Sequence, residues 1–192
     1  MTITGANRRL TRADWVTAAQ QALVDSGPDA VAIEPLAMAL GTTKGSGYHH
    51  FRSRGELLKA ALDGYRAEHT MAIIDQVEQL GGTPLEKLTR LFDTVTSRAD
   101  RGSEIRLLAS TDLEVRATVE RVTAERVGYL ASLMAQLGFG RAEARRRALV
   151  TYCAYLGHSA LADATPAVLP QTAAANKALR HTMIGALTSG SA

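Results

Sequence analysis

Leu40-Gly41-Thr42-Thr43-Lys44-Gly45-Ser46-Gly47-Tyr48-His49-His50-Phe51 reads as the turn and second helix of a helix-turn-helix. Upstream, Ile33, Leu36, Ala37 and Leu40 recur at helical spacing, with Pro35 in the first turn, where a missing N–H costs little. Gly41 supplies a left-handed residue that stops this helix, and the Thr43 hydroxyl caps the next one. Lys44, Gly45 and Ser46 then form a first turn with outward backbone N–H groups. Duplex DNA is the expected partner. Lys44 reaches a guanine edge or a phosphate, Gly45 lets the duplex come close, and Tyr48 donates to a phosphate one turn later.

Working outward, Thr11 with Asp14 opens a first helix that presents Trp15, Ala19, Ala22 and Leu23 on one face and ends at Gly27-Pro28. Ser53-Arg54-Gly55-Glu56 is a capping box opening a long helix through Leu57, Ala61, Leu62, Tyr65, Met71, Ile74 and Val77, closed by Gly81-Gly82. Thr83-Pro84-Leu85-Glu86 starts another helix through Leu88, Leu91, Phe92 and Val95. The pattern breaks around Ala99 to Ser103, and a short helix follows from about Glu104 to Ala109. A long helix begins at Thr111-Asp112-Leu113-Glu114 and stops at Gly138, with Glu114, Arg116, Glu120, Arg121 and Glu125 on its outward side. The last two helices, about 141–162 and 171–187, flank a loop with Pro166 and Pro170. No strand alternation competes, so the expected fold is all-α with about nine helices.

The 192 residues carry 46% hydrophobic content and a net charge of +3, enough for one sizeable core and a small appended one. Residues 1–54 hold six basic groups, Arg8, Arg9, Arg12, Lys44, Arg52 and Arg54, against four acidic ones. They are placed where a duplex would pass, although an ordinary solvated surface would explain the charge alone. No apolar run reaches membrane-spanning length and the N-terminus lacks a secretory pattern, so the expected location is the cytoplasm. The single cysteine, Cys153, has no thiol partner and is read as core.

Catalytic readings find little support. His49 and His50 are adjacent and point to different helix faces, and His69, His158 and His181 lie on separate segments without ligand-spaced neighbours. Neither a phosphate loop, a nucleophile elbow nor an acid/base pair is present, so no catalytic residue, metal or cofactor is expected.

Gly41 to Phe51, followed by Ser53-Arg54-Gly55-Glu56-Leu57-Leu58, resembles the DNA-binding domain of the TetR family, and residues 10 to 60 fit its three-helix head and connector. The remainder resembles the family in length, helical content and the phrases Glu104-Ile105-Arg106 and Gly138-Phe139-Gly140. The resemblance implies a helix-turn-helix domain over 1–54 and a helical ligand-binding and dimerisation domain over 55–192. It also implies a sequence-specific regulator, usually a repressor, released from a pseudo-palindromic operator by a small-molecule effector. The expected DNA contacts are Thr42, Thr43, Lys44, Gly45, Ser46, Tyr48 and His49, with Arg8 and Arg9 in an N-terminal arm.

Two positions depart from the family pattern. Thr42 replaces a small apolar residue, which is mild, while Gly47 stands where a bulky apolar residue pins the recognition helix. Losing such a side chain costs about 2–5 kcal/mol, and a mid-helix glycine about 1 kcal/mol more. Either the helix orders only on DNA, or Trp15 or Met38 fills the gap, or a cavity is tolerated. An alternative function keeps the helical small-molecule binding or interaction module and discards DNA binding, with Gly47 as the lesion.

Ala148, Gly157, Ala160 and Ala164 on one late helix, and Ala173, Ala174, Ala178, Gly185 and Ala186 on the other, make flat apolar faces. Such faces suit a two-fold homodimer through a four-helix interface, unless the alanines only reflect helix propensity. The family forms homodimers there too, which would place two recognition helices roughly 34–36 Å apart. A largely apolar effector is expected among Phe92, Leu108, Leu130, Met134, Tyr152, Tyr155 and His158, with Cys153 nearby. Core packing explains each of these singly.

Overall fold

The computed structural model describes residues 10–97 and 102–190, so the arm residues Arg8 and Arg9 and the break at Ala99 lie outside the described residues. Among the described residues the fold is all-helical, with nine helices. These are α1 (Arg12–Ser26), α2 (Ile33–Ala39), α3 (Lys44–His50), a long α4, α5 (Pro84–Ser97), α6 (Ser103–Leu108), α7 (Leu113–Gln136), α8 (Arg141–Ala164) and α9 (Ala173–Thr188). Helix α4 runs through Arg54–Arg66, a π-helical turn at Ala67–Met71, and Ala72–Gln79. No described helix is long and apolar enough to cross a membrane.

Local chemistry sets the boundaries. Thr11 and Asp14 form a reciprocal capping box on α1, and Thr83 and Glu86 do the same on α5, each pair satisfying two orphan donors. At α4 the box is modified: the Ser53 hydroxyl accepts from the Glu56 N–H at 3.2 Å, while the Glu56 carboxylate accepts from the N–H of Arg52 at 2.9 Å. Asp112 caps α7 through the N–H groups of Glu114 and Val115.

The chain forms two compact units that divide between Gly64 and Tyr65, inside α4, whereas the sequence places the break after residue 54. The early turns of α4 bury Leu57, Leu58, Ala61 and Leu62, which gives them to the first unit. Trp15, Leu23, Val31 and Phe51 are also fully buried in this unit. Each such side chain contributes about 1.5–3 kcal/mol of apolar burial.

The second unit is organised by α7 lying against α8, with α5 and α9 completing the bundle. Its core joins Leu88 and Phe92 of α5, Val127, Leu130, Leu133 and Met134 of α7, Ala144, Ala148 and Tyr152 of α8, and Ile184 of α9. Polar ties fix the periphery: Arg147 donates to the Leu187 carbonyl at 2.8 Å and lies over the Phe139 ring, and Arg180 pairs with Asp93. Two expectations need correction here. Cys153 is exposed rather than core, and Ala148 is fully buried in its own bundle rather than on the outer face. Residue 148 falls on the inward i, i+4 row with Ala144 and Tyr152, whereas Cys153 falls on the outer row with Leu149 and Gly157.

Candidate functional site

In the first unit, α2 and α3 are joined by a tight turn in which Gly41 adopts φ +63° and the Thr42 N–H donates to the Ala37 carbonyl at 2.9 Å. The Thr43 hydroxyl accepts from the Ser46 N–H at 3.3 Å and caps α3. Thr43, Lys44, Gly45, Tyr48 and His49 are exposed, and Thr42 and Ser46 are half-buried. Between them Gly47 is buried, so the short helix has one packed side and one open side.

The gap expected at Gly47 is filled. A Cβ built on Gly47 would lie 2.6 Å from Cγ2 of Ile33 and 2.8 Å from Cη2 of Trp15, closer than real Cβ contacts come. Met38, the other candidate, is 82% exposed. The fully buried indole of Trp15 thus supplies from α1 the volume that α3 lacks, and the expected cavity is absent because the bulk has changed helices.

The basic groups divide by role. Lys44 Nζ lies 3.3 Å from Glu34 Oε1 with both side chains mostly exposed, so a solvated carboxylate on α2 competes for this cation. Arg12 stacks over the Phe51 ring at 4.6 Å, and Arg54 donates to the Pro28 carbonyl at 2.7 Å. These two arginines brace the head instead of standing free toward a duplex. His50 lies with Nε2 3.1 Å from the Leu10 carbonyl oxygen.

The second unit holds a cavity that opens to solvent. It is lined by Tyr65, His69, Thr70, Ile73 and Ile74 of α4, Leu91, Phe92 and Val95 of α5, Ser103 of α6, Arg126, Tyr129 and Leu130 of α7, and Thr151, Tyr152 and Tyr155 of α8. Of the residues expected from sequence, Phe92, Leu130, Tyr152 and Tyr155 line it. Leu108 is exposed, Met134 is fully buried in the core, and His158 is buried, and none of the three is among the lining residues.

Sequence reasoning missed the polar wall. Arg126 Nη1 lies 2.6 Å from Glu104 Oε2, with the side chains 14% and 7% exposed. Arg126 Nε donates to Thr70 Oγ1 at 3.0 Å and Nη2 to the His69 carbonyl at 2.9 Å. The Tyr152 hydroxyl donates to the other Glu104 oxygen. Burial works against the Arg126 cation, and Glu104 and the surrounding tyrosines more than offset it. Burial raises the phenols of Tyr65, Tyr152 and Tyr155 above the usual tyrosine range, so they remain neutral. A signal existed: Arg126 sits four residues from both Val122 and Leu130 on the inward stripe of α7, where a charge demands a partner.

The same helix grips the π turn of α4. Glu125, expected to face solvent, forms a forked ion pair with Arg66 at 2.7 Å, immediately before the turn whose His69 and Thr70 meet Arg126. His69 also stacks on Tyr65, ring centroids 4.5 Å apart. Interrupted helices of this kind are concentrated at functional sites.

Residues 16–61 match the family described as bacterial regulatory proteins, tetR family. No curated protein matches the chain. Among solved structures, a transcriptional regulator from Rhodococcus sp. Rha1 is 19% identical with TM-score 0.74, covering 94% of this chain and 97% of that one. A TetR-family regulator from Agrobacterium tumefaciens is 18% identical with TM-score 0.74, covering 91% and 96%. The regulator FadR from Bacillus subtilis, solved in complex with stearoyl-CoA, is 14% identical with TM-score 0.66, covering 94% and 99%. Over residues 16–61 the chain thus matches the tetR family of bacterial regulatory proteins, and from end to end it shares the fold of these solved transcriptional regulators.

Proposed function

We propose that this protein is a cytoplasmic, non-enzymatic transcriptional repressor that binds a pseudo-palindromic operator as a homodimer and leaves it when a small molecule enters the second unit. The observation that carries the reading is the two-sidedness of α3: Gly47 packs against Trp15 and Ile33, while Thr43, Lys44, Gly45, Tyr48 and His49 are exposed together. A helix anchored on one side and open on the other suits insertion into a major groove. Thr42 and Ser46 flank these contacts, and Arg8 and Arg9 serve as a basic arm. The well-packed Gly47 argues against a head that has lost DNA binding.

Dimerisation is assigned to α8 and α9. Leu149, Cys153, Gly157 and Leu161 form an exposed i, i+4 row on α8, flanked by exposed Val150 and Ala164, and Ala174, Ala178 and Gly185 form an exposed row on α9. Small residues let helices approach closely, and an isologous four-helix interface buries both rows. Effector release is assigned to α4, because Tyr65, His69 and Thr70 line the cavity on the helix that continues into the head. A ligand that prefers a different α4 conformation weakens DNA binding by linkage. The stearoyl-CoA complex of the FadR relative supports a small-molecule site in this fold.

Footprinting on DNA flanking the gene, with a salt titration, tests the reading. Sequence-preferring protection that weakens steeply with salt is expected, whereas equal affinity for all sequences would refute it. Lys44→Ala and Tyr48→Phe weaken binding with fold and dimer intact, and Glu34→Gln strengthens it by removing the competing carboxylate.

A further inference from the structure

The second unit's cavity is read above as an effector site; on that reading, the structure also constrains the charge of what it holds. We propose that the cavity takes an uncharged, largely apolar aromatic molecule and excludes both carboxylates and amines. The wall is built from Ile73, Ile74, Leu91 and Val95 with tyrosine and phenylalanine rings. Among the described lining residues the one permanent charge is Arg126, and it is already neutralised.

Glu104 and Arg126 cancel each other's charge in a buried pair. Arg126 spends its nitrogens on Glu104, Thr70 and the His69 carbonyl, and Glu104 uses one oxygen on Arg126 and the other on the Tyr152 hydroxyl. An anionic ligand at Arg126 comes to lie beside the Glu104 carboxylate, 7% exposed, and is buried with no net countercharge to offset its lost hydration. An ammonium ligand at Glu104 meets the Arg126 cation in the same way. Burying an ion beside a pair that is already neutral costs several kcal/mol, so either charge is rejected by roughly a hundredfold or more relative to a neutral molecule of the same shape. A neutral ligand disturbs nothing, and the rings of Phe92, Tyr129 and Tyr155 suit an aromatic partner.

Two dyes of nearly the same shape isolate the charge: N-phenyl-1-naphthylamine, uncharged at pH 7, and 8-anilinonaphthalene-1-sulfonate, which adds one sulfonate. Both brighten when buried. Titrating the full-length protein is expected to give binding of the neutral dye and roughly a hundredfold weaker binding of the sulfonate. Ile74→Trp, which fills the cavity from a half-buried position, abolishes the neutral signal, and Leu91→Trp replaces it should that chain not fold. Glu104→Gln, which frees the Arg126 cation, raises sulfonate affinity about tenfold or more while leaving the neutral dye nearly unchanged. If Glu104→Gln does not fold, the wild-type ratio together with the filled cavity decides. Equal affinities, both lost in Ile74→Trp, would overturn charge exclusion yet keep the cavity as a ligand site. A neutral dye that does not bind, or binds Ile74→Trp unchanged, would overturn the proposal altogether. Footprinting on the same protein without dye reports separately on the DNA reading.

Discussion

The head and the larger unit each bury something their helix pattern does not announce, and they make it tolerable in opposite ways. In the head a side chain is missing from α3, and Trp15 of α1 occupies the space, a steric match indifferent to salt or pH. In the larger unit a full charge is present where apolar packing is expected, and Glu104 of α6 cancels it. Complementary volume tolerates small adjustments, whereas a buried ion pair is stable only while both members remain. On the proposed function, a DNA-reading surface gains from the first arrangement and a ligand cavity beside a π turn from the second, because only the second can be perturbed by what enters it.

The contrast breaks most sharply at Arg126→Met. Leaving Glu104 buried without its partner is expected to cost about 3–5 kcal/mol, and adding Glu104→Leu should recover much of that, since an apolar replacement of the whole pair is tolerated. Denaturant unfolding followed by circular dichroism measures these and the Glu104→Leu single, and a double-variant loss equal to the sum of the single losses would show the pair to be uncoupled. Next comes Gly47→Leu, where collision with Ile33 and Trp15 is expected to destabilise the head by about 1–3 kcal/mol and reduce operator binding. Trp15→Ala combined with Gly47→Leu should restore part of the loss, and a double variant worse than the sum of the singles would contradict the size match.

A smaller effect separates the units by pH. Tyr65, Tyr129, Tyr152 and Tyr155, all in the larger unit, have phenols raised above the ordinary value, chiefly by burial. Below pH of about 10 these groups are protonated in folded and unfolded chains alike. Above it the unfolded chain releases protons that the folded one retains, so the stability of the larger unit declines as pH rises. Thermal unfolding between pH 9 and 11 should show this loss while the emission of Trp15, the one tryptophan, holds its midpoint longer. Simultaneous loss of both signals would place the titrating groups elsewhere.

Much of the fold is legible because its signals are local. The caps at Thr11, Thr43 and Thr83 each need a partner only three residues away, and the structure forms all three. Gly41 and Gly138 adopt the positive φ angles that end helices. The cavity is less legible: Phe92, Leu130, Tyr152 and Tyr155 follow from inward periodicity, but Met134 shares that periodicity and belongs to solid core. Periodicity names the inward face of one helix and does not say whether the opposite helix reaches it. Leu108 shows the same limit, because a six-residue helix turns too little for its faces to be distinguished by pattern.

Chain order alone determined the helical class, the caps and the turn that sets out the exposed segment around Lys44, since backbone hydrogen bonding and turn chemistry act over three or four residues. Folding in three dimensions decided that Trp15 and not Met38 fits against Gly47, that Glu104 meets Arg126, and that Arg126 holds the π turn of α4. Volume and charge are matched between helices far apart in the chain, and only their packing chooses the partner.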